Sequence, residues 1–284
     1  MSKDKALLNG VAIPSVGFGT WQITDRQTFG GIISDAFGVG FRLFDLAAAY
    51  QNEILMGRVI REGVIPREKI FLSDKVWNNS RGYDAIQDAC RSSLKKLKTD
   101  YLDLYLIHWP ASMKLYESWA EINANTWRGM ERLYRDGVVR AIGVCNFKVH
   151  HLVELAKTAE ILPMIDQIEF HPGINNDELA RYCMDHSILL EASSPLGNGH
   201  ILPLLSDEFR DICEIHDKSI AQVCIRYAMQ GGYIPLVKSS HRDRMLENVD
   251  VFNFELNDEE MERIKAVSWC GGIGIDPDEV TEFG

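Results

Sequence analysis

Tyr50 stands five residues after Asp45, and Lys75 and His108 follow at the ends of two further apolar runs. These four side chains suit the delivery of a proton to an oxygen that is gaining negative charge. A tyrosine hydroxyl is a weak acid with an ordinary pKa of about 10. A nearby ammonium favours the phenolate, lowers that value and makes the acid competent near neutral pH. Lys75 is the candidate ammonium, with Asp45 pairing to it and orienting it. His108 is the candidate hydrogen-bond partner for the reacting oxygen. Carbonyl reduction uses such a set, with hydride coming from a nicotinamide. Taken singly, Asp45 reads as a strand-end cap, Tyr50 as rim packing, Lys75 as a solvated lysine and His108 as a core histidine. Their joint placement favours chemistry. A Schiff base on Lys75, as in a barrel aldolase or isomerase, fits Tyr50 and His108 less well.

The elements that must position these residues are short. Eight apolar runs read as strands: Gly17–Thr20, Phe41–Asp45, Ile70–Asp74, Asp103–Ile107, Val139–Val144, Met164–Ile168, Ile188–Glu191 and Ile234–Val237. Most are rich in Ile, Leu, Val or Phe, as strands buried on both faces are. Helical patterns separate them. In Tyr83–Leu97 the residues Ile86, Ala89, Cys90, Leu94 and Leu97 share one face. In Glu117–Asp136 the stripe is Trp119, Ile122, Met130, Leu133 and Tyr134, with Gly137 as the stop. Asn257 and Glu260 form a capping box that opens a last helix. Asn9-Gly10, between Leu7 and Ile13, predicts a two-residue hairpin at the bottom of a barrel.

Eight strand–helix units predict an α/β fold, a (β/α)₈ TIM barrel with an N-terminal β-hairpin and an extra C-terminal helix. A doubly wound sheet competes, but its G-x-G-x-x-G fingerprint is absent. Gly17-Phe18-Gly19 runs on into Thr20, Trp21 and Gln22. No linker or low-complexity tract divides the chain, so residues 1–284 read as one domain. In a barrel, chemistry gathers at the C-terminal ends of the strands. The second to eighth predicted strands end in or near polar residues there: Asp45, Asp74-Lys75, His108, Cys145-Asn146, Gln167, Ser193-Ser194 and Lys238-Ser239.

Composition sets the outer bounds. The 284 residues carry a net charge of −11, which argues against nucleic acid as the main partner. Cys90, Cys145, Cys183, Cys213, Cys224 and Cys270 form no C-x-x-C pair and read as reduced thiols in a cytoplasmic protein. No stretch approaches the ~20 apolar residues of a membrane span, and the N-terminus lacks a signal-peptide pattern. Glu169 and His171 are of metal-ligand type but have no third ligand, so no metal is expected. His150-His151 reads as a solvated helix start. Nothing marks an obligate interface, so a monomer is expected.

The motifs resemble those of the aldo-keto reductase superfamily, most closely its short-loop bacterial members. Gly40 to Glu53, with Asp45 and Tyr50, resembles the family's first signature. Asp103 to Pro110 resembles the segment carrying its histidine. Ile142 to Phe147 and Val237 to Asn248 resemble its cofactor segments. The likeness runs from about Gly10 to Val267. It implies a catalytic set of Asp45, Tyr50, Lys75 and His108. It implies that Asn146 and Gln167 bond the nicotinamide carboxamide, and that Lys238, Ser239, Arg244 and Asn248 hold the 2′-phosphate and adenine. Gly19, Thr20, Cys145, Ser193, Ser194, Leu196, Ser240 and Glu247 complete the implied cofactor site. Lys238, Arg242 and Arg244 form a basic cluster on an acidic chain, which favours NADPH, with NADH as the lesser option. Trp21, Trp77 and Trp109 are candidate walls for a small-molecule carbonyl or alcohol substrate, beside Tyr50 and His108.

Two positions depart from the family. Cys145 stands where serine is usual, and a thiol is a weaker hydrogen-bond partner. Ser193 stands where an aromatic ring usually stacks on the nicotinamide. Losing that stack weakens cofactor binding by roughly 1 kcal/mol. Short loops imply an open site of broad specificity. The main expectation is therefore an NADPH-dependent reductase of aldehydes or ketones. The alternative is a cofactor-binding regulatory or scaffold protein with weak turnover.

Overall fold

The computed structural model describes residues 4–268 and 270–280. Two short strands, β1 (Lys5–Ala6) and β2 (Ala12–Ile13), form an antiparallel hairpin. Eight parallel strands then close into a barrel: β3 (Gly17–Gly19), β4 (Leu43–Asp45), β5 (Phe71–Val76), β6 (Leu104–Ile107), β7 (Ile142–Cys145), β8 (Ile165–Glu169), β9 (Leu189–Ser193) and β10 (Ile234–Val237). β10 pairs with β3 and completes the ring. The helices of the outer layer are α1 (Phe29–Val39), α2 (Glu53–Arg61), α3 (Tyr83–Leu97), α4 (Trp119–Arg135), α5 (Val149–Ala156) and α6 (Asp177–Asp185). Between β9 and β10 lie α7 (Leu202–Leu205), α8 (Arg210–His216) and α9 (Ile220–Gln230). α10 (Arg242–Val249) follows β10, and α11 (Asp258–Lys265) is the extra C-terminal helix. No described helix is long and apolar enough to cross a membrane.

The strands form where the sequence predicts them, because apolar residues with β-branched neighbours are buried on both faces there. β5 and β9 each run two residues past the expected end, and β5 is the more informative. The expected strand ends at Asp74, yet β5 runs on through Lys75 to Val76, and all six residues are buried. A lysine reads as a strand end in sequence, but here a buried carboxylate accepts it inside the barrel.

The hairpin also differs in detail. Asn9 does not have the positive φ that a two-residue Asn-Gly turn of the mirror-image type requires. Gly10 N donates to Leu7 O at 2.8 Å, and Leu7 N donates to Val11 O at 2.9 Å. With Gly10 at φ 83°, this is a type I turn followed by a left-handed glycine. The hairpin closes the bottom of the barrel, as expected. Lys5 Nζ reaches Gly232 O at 2.6 Å and Asn9 Nδ2 reaches Arg140 O at 2.9 Å, both just before strands begin.

The lower barrel interior is apolar and close-packed. A Cβ on Gly17 would lie 2.5 Å from Leu236 and 2.7 Å from Leu43, so only glycine fits between those side chains. Above this apolar floor the interior turns polar, with Asp45, Lys75, Gln167 and Glu191 all buried. α11 opens on the predicted capping box: Glu260 N donates to Asn257 Oδ1 at 2.9 Å, and Asn257 N donates to Glu260 Oε2 at 2.8 Å.

Candidate active site

A cavity of about 980 Å³ opens at the C-terminal ends of the strands. Lys75 lies at its base, wholly buried, and does not itself face the cavity. Its Nζ donates to Asp45 Oδ1 and Oδ2, each at 2.6 Å, and to Leu46 O at 2.8 Å. The same nitrogen is 3.4 Å from Tyr50 Oη. β4, β5 and the short turn Ala48–Tyr50 thus bring three of the four predicted residues into one chain. β6 supplies the fourth just past its end: the His108 ring stands edge-on to Tyr50, with centroids 5.8 Å apart. Trp77 packs edge-on to the same imidazole at 5.2 Å.

The electrostatics revise one expectation. Burial pushes the Tyr50 hydroxyl up to about 12, outweighing the downward pull of Lys75, and Asp45 adds to the rise. The tyrosine therefore rests protonated at neutral pH. Burial opposes charge on Lys75, but the Asp45 carboxylate outweighs it and keeps the ammonium charged. Burial, then the Lys75 charge, hold the His108 imidazole well below its usual range, so it is neutral. Its Nδ1 has no hydrogen-bond partner among the described residues.

The remaining predicted residues fall into three groups. Gly19, Asn146, Gln167, Ser193, Ser194, Leu196, Lys238, Ser239, Ser240, Arg244, Glu247 and Asn248 line the cavity, as do Trp21, Trp77 and Trp109. Asn146 has φ 61°, a conformation asparagine tolerates better than most residues, and its Nδ2 donates to His108 O at 2.8 Å. Thr20 and Cys145 do not face the cavity. Thr20 is buried, its Oγ1 donating to Asp45 O at 2.9 Å and accepting from Asn52 Nδ2 at 3.1 Å. Cys145 is buried close enough to Lys75 and Asp45 to feel their charges. Arg242 leaves the basic cluster altogether and faces Asp35 at 3.7 Å. Lys238 Nζ donates to Gln22 Oε1 at 2.9 Å, and Arg244 remains exposed on the rim. The part of the rim that could hold a phosphate is therefore Lys238 to Arg244, without Arg242.

Ser193 ends β9 on the cavity wall, beside Ser194, Pro195 and Leu196. The large aromatic lining residues are Trp21, Tyr50, Trp77 and Trp109, none of them on the β9 side.

Sequence reasoning missed the C-terminal tail. Ile273 and Ile275 line the cavity, so the tail folds over its mouth. Glu169 pins it there, accepting from Ile273 N at 2.6 Å and Gly274 N at 3.0 Å. Burial opposes charge on Glu169, but the nearby His171 ring, 3.5 Å away, and the bonds from those two amides outweigh it and hold the carboxyl below its usual range. Further along, Lys148 Nζ, His150 Nε2 and His151 Nε2 all approach Asp278, at 2.8, 3.0 and 3.1 Å. The pair opens α5 as expected, but His151 is fully buried. Lys148 N donates to His151 Nδ1 at 3.0 Å, which puts the imidazole proton on Nε2. The three ligand atoms lie within 4.8 Å of one another, yet that tautomer leaves His151 Nε2 no lone pair for a cation. The tail had no legible signal, being too short for periodicity.

Fold and rim define the class: a (β/α)₈ barrel with a large cavity at the C-terminal ends of its strands. The chain belongs to the aldo/keto reductase family, whose model matches residues 15–268. A curated protein named glyoxal reductase, from Bacillus subtilis (strain 168), is 43% identical over 274 residues, covering 96% of each chain. A crystal structure of an aldo-keto reductase from a Medee basin deep-sea metagenome library is similar with TM-score 0.90 and 38% identity, covering 98% of this chain and 100% of that one. The crystal structure of Bombyx mori aldo-keto reductase in complex with NADP has TM-score 0.80 and 30% identity, covering 93% of this chain and 92% of that one.

Proposed function

We propose that this chain is an NADPH-dependent reductase of small aldehydes and ketones, α-dicarbonyls among them, with Tyr50 as the proton donor. The observation that carries the reading is the chain Asp45–Lys75–Tyr50 at the base of the cavity, with neutral His108 beside it. The cavity fits a dinucleotide. It runs from Tyr50 and His108 to Lys238 and Arg244, and its volume is ample for one. Asn146 and Gln167 offer amides to a carboxamide, and Arg244 and Lys238 offer cations to a phosphate. Bound there, the reduced nicotinamide supplies a hydride to the carbonyl carbon.

The residues of the chain do the rest. His108 hydrogen-bonds the carbonyl oxygen and places it near Tyr50 Oη. As negative charge builds on that oxygen, Tyr50 passes it the hydroxyl proton. An acid of pKa about 12 is still far stronger than an alcohol, so the transfer runs downhill. Lys75 stabilises the phenolate left behind, and Asp45 holds Lys75 in reach. Trp21, Trp77, Trp109 and the tail isoleucines exclude water from the reacting centre. We read residues 1–284 as one domain, acting as a monomer in the cytoplasm; the six cysteines are all unpaired, which suits a reducing compartment.

The test is loss of nicotinamide absorbance with glyoxal or methylglyoxal as substrate. Turnover with NADPH is expected to exceed that with NADH, and Arg244→Ala to narrow the gap by about tenfold. Cofactor binding without turnover on any carbonyl would favour the scaffold reading, to which the missing ring at Ser193 lends some support. Ser193 carries its own prediction. Ser193→Trp restores a ring on the β9 side and tightens NADPH binding by about fivefold, equivalent to ~1 kcal/mol of aromatic contact. Fluorescence titration of NADPH measures it; an unchanged or weaker affinity means the ring face is already covered.

A further inference from the structure

Glu191 is a carboxyl that the proposed reaction leaves unused. It sits inside the barrel on β9, fully buried, in register with Gln167 on β8. A buried acid in an apolar strand is strongly destabilising unless something offsets its desolvation. The described residues give it a single hydrogen bond, from Gln167 Nε2 to Oε2 at 2.8 Å, and its Oε1 has no partner. An aliphatic side chain would serve the core better, so the fold alone does not explain an acid here.

The bond to Gln167 does. Gln167 Nε2 also donates to Asp45 Oδ1, at 3.1 Å. A side-chain amide has two N–H groups, and both are thereby committed to carboxyl oxygens on opposite sides. With one acceptor the amide plane could still swing; with two it is fixed. What remains is Oε1, the end of Gln167 left for the cavity that this residue lines. The titratable groups that face Glu191 are Asp45, Lys75 and Cys145. Burial, then the Asp45 charge, push the Glu191 carboxyl up to about 8, so at neutral pH it accepts the amide without adding a second negative charge beside Asp45.

We propose that Glu191 is a positioning residue: with Asp45 it locks the Gln167 amide so that its oxygen accepts a hydrogen bond from the carboxamide NH₂ of the nicotinamide. This rests on the cofactor reading above. Asp45 thereby has two duties, toward Lys75 and toward Gln167. Glu191 touches neither cofactor nor substrate and acts only through the amide.

The test compares binding of NADPH with that of its reduced 3-acetylpyridine analogue, which has a methyl ketone in place of the carboxamide and no NH₂ to donate. Wild-type protein is expected to bind NADPH more tightly, by about three- to tenfold, the worth of one hydrogen bond. Glu191→Leu fills the same space with apolar atoms, keeps the barrel packed and removes the acceptor; it is expected to bring the ratio close to one. Glu191→Gln keeps an oxygen that can accept from Gln167 and is expected to restore the ratio. A general loss of packing would weaken both cofactors together and leave the ratio alone. A wild-type ratio in Glu191→Leu, or a ratio near one in Glu191→Gln, overturns the assignment. Failure of wild-type protein to bind either cofactor would instead overturn the cofactor reading.

Discussion

Tyr50→Phe is expected to lower kcat for carbonyl reduction by roughly 10²- to 10⁴-fold, the usual worth of a positioned general acid, while NADPH binding is unchanged. The ring keeps its edge contact with His108, 5.8 Å away, and only the hydroxyl 3.4 Å from Lys75 is lost. Nothing else among the described residues bonds that hydroxyl, so the packing has no reason to shift. Initial rates on glyoxal and a fluorescence titration of NADPH measure the two halves separately. A variant that retains most of the wild-type rate would remove Tyr50 from the reaction. One that loses rate and cofactor affinity in parallel would make it a structural residue of the cavity.

Lys75→Met acts on both stability and catalysis. It leaves Asp45 buried with its main counter-charge gone, and breaking a buried pair from one side costs about 3–5 kcal/mol. The bonds at stake are two of 2.6 Å to Asp45 and one of 2.8 Å to Leu46 O. Urea denaturation should therefore show a large fall in the unfolding free energy, and turnover should be lost with it. Adding Asp45→Asn removes the orphaned charge, so the double variant should regain most of the stability and none of the activity. That split is the decisive part. Recovery of both would make the pair a structural strut. Full stability in the single variant would mean that the Asp45 carboxyl takes up a proton at little cost.

The sequence was most informative where a pattern repeats. Tyr83–Leu97 is found with the expected bounds, because Ile86, Cys90 and Leu97 recur at helical spacing and are buried. Asp45, Tyr50, Lys75 and His108 could be placed because each sits at or near the end of an apolar run, and strand ends share one rim of a barrel. Legibility fails where a long-range contact overrides a local rule. Lys75 reads as a strand end because its partner, Asp45, lies on another strand. Glu191 reads as the last residue of a strand for the same reason, although β9 continues to Ser193. Arg242 looks like a cavity cation from its neighbours in sequence, but the first turn of α10 carries it toward Asp35. The tail over the cavity mouth depends on Glu169, more than a hundred residues before it. No local pattern reports such a contact.

The central claim is that hydride and proton reach the carbonyl together in this cavity, the proton from Tyr50. It is tested most directly by following deuterium from NADPH labelled at its transferable nicotinamide hydrogen into methylglyoxal, with mass spectrometry of the product alcohol. Wild-type protein is expected to place one deuterium on the carbinol carbon in each product molecule, and Tyr50→Phe, with NADPH bound equally well, to form almost none. Unlabelled alcohol from the wild-type protein, or labelled alcohol formed as fast by Tyr50→Phe, would contradict it.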